Sequence, residues 1–135
     1  PGAAYRSQDA ALGFGRDLSP AWRTSLQGRY GHFHVEDPGP LTAPLAGSYA
    51  RVGRGGFSFN LDNGYGRTWG YARLFSSHGR HIITDGFRSV DSTTGVRVHQ
   101  SFALSPRLTL DAGTETVRYG GRATNVRSGL NYGDP

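Results

Sequence analysis

The sequence predicts an all-β chain: an antiparallel meander of about six to eight strands, forming part of a transmembrane β-barrel. Three observations carry this. Apolar and polar residues alternate with period 2 over segments of roughly 10 to 14 residues, longer than the usual five or six of a soluble strand and matched to a tilted membrane strand. Hydrophobic residues make up only 36% of the 135 while glycine supplies 21, a balance that suits a glycine- and aromatic-rich sheet better than packed helices. Short turns alternate with long polar connections, the asymmetry of outer-membrane barrels.

Taken in order, the strand candidates lie at about 10–18, 22–35, 56–63, 68–77, 95–104 and 107–119, forming hairpins at about 10–35, 56–77 and 95–119 of a single barrel segment spanning 1–135. The first hairpin turns at "DLSPAWR" and the third at "LSPRL". In both, Pro20 or Pro106 fixes φ, and Ser19 or Ser105 is placed to bond the local backbone. The second is expected to turn near Asn63-Gly64, residues that tolerate positive φ. Long loops are expected at about 36–55 and 78–94, both rich in Gly and polar residues.

The faces follow from the alternation. Leu108, Leu110, Ala112, Thr114 and Thr116 share one side, and Thr109, Asp111, Gly113 and Glu115 the other. Trp22, Leu26 and Tyr30 alternate with Arg23, Ser25, Gln27 and Arg29. Phe57, Phe59 and Leu61 alternate with Ser58, Asn60 and Asp62, and Val96, Val98 and Phe102 with Arg97, His99 and Ser101. Trp69, Tyr71 and Phe75 are expected on the apolar side, where Arg73 would then be out of place, as would Arg16 and Gln100. Trp22 near a short turn, and Tyr30, Tyr71 and Tyr119 towards the loops, are expected to form two interfacial aromatic belts. The polar side would face a wet lumen and the apolar side lipid.

No run of about 18 apolar residues is present, which excludes a transmembrane helix but not a membrane strand. There is no Cys, hence no disulfide or thiol chemistry. The net charge of +5 comes entirely from Arg, scattered rather than clustered, a distribution that argues against nucleic acid as a partner. The chain opens at Pro1 rather than Met, as a mature chain or an excised piece would.

Catalysis finds little support. Ser76, Ser77, His78 and Asp85 contain the letters of a triad without a nucleophile elbow. Asp111 and Glu115 are two carboxylates on one face with nothing else of a glycosidase around them. His78 and His81 with Asp85 and Asp91 offer imidazole and carboxylate but are not preorganised for a metal, and His32 with His34 on one strand face could give only a bidentate surface site. The expectation is a non-enzyme with no cofactor and no metal. Ligand contact, if it occurs, falls on the loop residues Arg51, Arg54, His78, Arg80, His81, Asp85 and Arg88, whose basic balance suits an anionic small molecule.

Three stretches resemble the TonB-dependent outer-membrane receptors: "RGGFSFNLDNGYGRTWGYARLF" (Arg54 to Phe75), "HGRHIITDGFRSVDSTTGVRVHQSFALS" (His78 to Ser105) and "LTLDAGTETVRYGGRATN" (Leu108 to Asn125). In order they contain a Gly-His-like loop, an Asp-Gly-Phe-x-Ser loop (Asp85 to Ser89), Gln-x-Phe (Gln100 to Phe102) and Tyr-Gly-Gly (Tyr119 to Gly121). The resemblance covers roughly Gly13 to Asp134. It implies a barrel of about 22 strands filled by an N-terminal plug, importing a scarce nutrient such as a metal chelate or cobalamin with energy from the TonB system. For this chain it implies a piece of the wall in a Gram-negative outer membrane. The lipid bilayer, the remaining strands, the plug and a small-molecule ligand would be its partners. Two other readings stay open: a self-contained small outer-membrane barrel with a structural or adhesion role, and a soluble β-sandwich that binds a ligand.

Overall fold

The computed structural model describes residues 4–36 and 47–133. Its strands are β1 (Tyr5–Ser19), β2 (Trp22–Glu36), β3 (Tyr49–Tyr65), β4 (Thr68–Ile83), β5 (Phe87–Ser105), β6 (Leu108–Asn125) and β7 (Leu130–Gly133). They form one antiparallel sheet in sequence order, β1 to β7. The expected meander is thus observed, with the four-residue β7 added at its far edge. Among the described residues β1 pairs only with β2, and β6 is bonded by β7 only from Arg122 to Asn125, so the sheet is open at both edges.

The two Leu-Ser-Pro turns are built alike. Ser19 Oγ accepts from Ala21 N at 3.2 Å and Ser105 Oγ from Arg107 N at 3.3 Å, and each turn follows a register irregularity at the end of its strand. The second hairpin turns two residues later than expected. Asn63 and Gly64 belong to β3, and the reversal falls at Gly66, whose φ of 59° is the left-handed conformation open to glycine.

The polar segment 78–94, expected as a loop, is instead two strand ends joined by the tight turn Thr84 to Gly86. Gly86 has φ 97°, and Asp85 Oδ1 accepts from Phe87 N at 2.8 Å, the Asx contact that closes such a turn. The expected loop at 36–55 lies partly outside the described residues, but Arg51 and Arg54 lie within β3.

Registry shows how the sheet is inclined. Trp22 pairs with Asn63, which puts the first turn about two residues short of the second; Thr68 pairs with Phe102, which puts the second about three short of the third. At ~3.3 Å per residue and ~4.8 Å between strands, that stagger tilts the strands by about 40° from the perpendicular to the line of turns. Barrel strands are tilted by about 35–45°.

Among the described residues no apolar side chain is buried; Asn60, Ser76 and Ser101 are the buried side chains. Within β5 the apolar Val96, Val98 and Phe102 are exposed, while Arg97 and His99 between them are partly covered and Ser101 is 1% exposed. Side chains of the polar face shelter one another, as on the inside of a curled sheet.

Candidate functional site

Residues opposite each other across a ladder point to the same side, so the pairings assign every strand to the two faces. The row Phe14, Leu26, Phe59, Leu74, Val96 and Thr116 runs unbroken from β1 to β6. On this side apolar residues begin beside each short turn and continue for about nine residues: Trp22 to Tyr30 in β2, Phe57 to Tyr65 in β3, Leu108 to Thr116 in β6. Nine residues at ~3.3 Å each, inclined by about 40°, make a band roughly 23 Å tall, close to the ~25 Å of an outer-membrane barrel. The upper edge of the band descends from Tyr30 in β2 to Thr116 in β6 and so runs parallel to the line of turns.

Two of the residues that looked misplaced have partners or a border position. Gln100 and Asn63 exchange amide hydrogen bonds of 3.1 and 3.2 Å across β4, over Gly70, where a side chain would collide with Gln100. Arg16 pairs with Thr24, separated from the first turn by the pairs Asp17/Arg23 and Ser19/Trp22. The third corrects the expected faces. Arg73 pairs with Asn60 and Arg97, and Trp69 with Ser101, which places Trp69, Tyr71, Arg73 and Phe75 on the polar side; Thr68, Gly70, Ala72 and Leu74 form the apolar side of β4. Tyr119, opposite Thr93, also lies on the polar side, so of the expected aromatic belt residues only Trp22 and Tyr30 face outward.

The polar side is a chain of paired groups. Arg97 donates to both Glu115 oxygens at 2.8 to 3.0 Å. Arg73 Nε donates to Asn60 Oδ1 at 2.6 Å, and Asn60 Nδ2 to Ser25 Oγ at 3.1 Å. Ser101 donates to Asp111, which lies 3.6 Å from His99; the His99 ring stacks on Tyr71 at 5.7 Å. Towards the connections Arg54 holds both oxygens of Asp91, and His81 lies 3.3 Å from it. A trough of about 620 Å³ runs across β1 to β5 and is lined on this side by Gln27, Arg29, Ser58, Arg73, Phe75 and Arg97. Such a surface, hydrogen-bonding and charged, suits water or a polar plug.

The seven expected contact residues do not converge, because strand parity divides them. Arg51, His78, Arg80 and Arg88 point to the apolar side above the band, Arg54 and His81 to the polar side, and Asp85 sits in the turn between β4 and β5. His78 and His81 therefore lie on opposite faces. His32 and His34 share a face as expected, with His34 Nδ1 accepting from Arg51 Nε at 3.4 Å. Among the described residues no three His, Asp or Glu side chains gather into a metal site. Ser76 Oγ does lie 3.4 Å from His78 Nε2, but Asp85 is occupied in its turn. Asp111 and Glu115 each hold their own partner on the polar face rather than each other.

A second feature lies outward, above the band, and the sequence did not disclose it. Tyr30 lies against Gly53 and Gly55, where an added Cβ would meet its hydroxyl oxygen at 3.2 Å and its ring at 3.3 Å, respectively. These glycines floor a groove of about 780 Å³ rimmed by His32, Arg51, His78, Arg80, Ile82 and Val90.

The chain matches no known family model and no curated protein.

Proposed function

We propose that this chain is a stretch of wall in an outer-membrane β-barrel of the TonB-dependent receptor kind, with its polar face lining the interior through which a small-molecule ligand is taken up. The observation that carries the embedding is the outward band: about nine residues tall in β2, β3 and β6, parallel to the turns, and backed by a face of ion pairs and amides. A soluble sheet would need a second layer over Phe14, Phe59, Leu74 and Val96. In a bilayer the acyl chains cover them.

The two open edges fit this reading. Unpaired backbone groups in hydrocarbon cost several kcal/mol each, so further strands of the barrel must bond to β1 and to the lower part of β6. The polar trough is where a plug or a hydrated ligand path would lie. The receptor assignment itself rests on the sequence resemblance, and no catalytic role is proposed.

The two tryptophans of the chain provide the test. Trp22 and Trp69 are similarly exposed, 38% and 45%, but face opposite sides. In the chain inserted into phospholipid vesicles, brominated lipid should quench the emission of the Trp69→Phe variant, which retains Trp22. The Trp22→Phe variant should respond to aqueous acrylamide and hardly to the bromines. Equal quenching of the two by bromolipid, or quenching of neither, would refute the embedding.

A further inference from the structure

We infer that the outward groove above the apolar band binds the phosphate-bearing headgroup of an anionic lipid in the surrounding leaflet. The inference rests on the membrane embedding proposed above and adds a specific lipid contact to it.

The first support is charge sorting. Among the described residues, Arg6, Arg51, Arg80, Arg88, Arg118 and Arg122 stand on the outward face beyond the band, against the acid Glu36; Asp91, which also lines the groove, is held by Arg54. Every Arg–carboxylate pair among the described residues lies on the other face: Arg23 with Asp17, Arg54 with Asp91, Arg97 with Glu115. Among the described residues no carboxylate takes up the donors of the outward arginines. Arg51 alone has a local role, bonding His34 and lying 4.7 Å over the Tyr49 ring. A row of guanidinium groups without acids is unfavourable by itself and calls for an external anion.

Height is the second support. Tyr30 is the last apolar residue of the band in β2 and forms the lower wall of the groove, while Arg80 lies opposite Gly53 and Arg51 one row above. The guanidinium groups therefore stand just beyond the hydrocarbon edge, where lipid phosphates lie and where arginine forks bind them bidentately. Below them, the glycine floor and the Tyr30 ring leave room for the apolar part of the same lipid.

Insertion is checked first by bromolipid quenching of Trp22. Spin-labelled phosphatidylglycerol and phosphatidylcholine are then compared for association with the full chain in phosphatidylcholine vesicles. Wild type should prefer the anionic lipid, by about five-fold for each arginine that engages, and the preference should fall as salt is raised. Arg51→Gln/Arg80→Gln should bring the ratio close to one. Arg23→Gln/Arg29→Gln, which removes the same charge from the polar face, should leave it unchanged. Displacement of the labelled lipid by millimolar inorganic phosphate would make this a site for free anions and overturn the inference. So would a wild-type ratio near one, or equal loss in both double variants, in chain whose Trp22 is quenched. Absence of quenching would instead remove the embedding and the lipid site together.

Discussion

Val98 and Val90 are carried by the same strand, point the same way and are almost equally exposed, 41% and 39%. Their neighbours differ completely. Val98 lies between Ala72 and Thr114, Val90 between Arg80 and Arg122. Eight residues of β5 thus separate uncharged neighbours from a pair of arginines, and solvent exposure alone does not distinguish the two. On the proposed embedding, what distinguishes them is the medium each would meet: hydrocarbon below, headgroups and water above.

The largest effect should come from placing a charge in the lower region. Val98→Arg is expected to destabilise the vesicle-inserted chain by about 2–4 kcal/mol, the cost of arginine near the bilayer midplane. Urea unfolding from phospholipid vesicles measures it. A loss below about 1 kcal/mol would mean that Val98 faces water, because an exposed valine on a soluble sheet accepts arginine cheaply.

Between the two valines, on the other face, Gly95 sharpens the comparison from within. Phe75 lies directly opposite, and its ring fills the space that a Cβ at position 95 would enter, close to the Thr116 carbonyl as well. Gly95→Val should therefore cost about 1–3 kcal/mol through overpacking. Phe75→Ala in the same chain should recover part of that loss, and strict additivity of the two changes would show that they do not touch.

A smaller change is expected from the polar face at the level of the band. Arg97 and Glu115 form a well-aligned bidentate pair, yet their side chains are 43% and 37% exposed. Glu115→Gln should lower the urea midpoint less than either change above, and less still at high salt. A loss as large as that of Val98→Arg would indicate a buried pair, incompatible with a hydrated interior.

How much of this was legible from sequence depends on whether the two sides of a strand differ. In β6 the set from Leu108 to Thr116 and the set from Thr109 to Glu115 separate cleanly, and both faces were assigned correctly. In β4 each side carries bulky or apolar residues, and alternation cannot choose between Trp69, Tyr71 and Phe75 on one side and Ala72 and Leu74 on the other. The cross-strand register with Leu61 and Val98 decides it. Beyond the band the period-2 signal fades altogether, because both faces carry polar and charged residues. "HGRHIITDGFRS" therefore reads as a loop although its backbone is paired almost throughout. The same fading hid the outward groove, since Gly53 and Gly55 gain meaning only when Tyr30 is laid over them from the neighbouring strand.

The smallest expected change tests the upper region on its own terms. In Val90→Glu the new carboxylate would stand directly between Arg80 and Arg122, within reach of both guanidinium groups. Cross-strand pairs of opposite charge contribute roughly 0.2–1 kcal/mol, and glutamate near the interface costs little, so the chain's stability should move by less than about 1 kcal/mol. Its lipid preference should nevertheless fall, because the acid takes the donors that the phosphate would use. Val98→Arg and Val90→Glu would then report opposite things from one strand: a charge that unfolds the chain below the border, and a charge that leaves it folded but changes what it binds above. If Val90→Glu cost as much as Val98→Arg, the hydrocarbon border would lie higher than Tyr30, and the arginines around the groove would have to be placed inside the band.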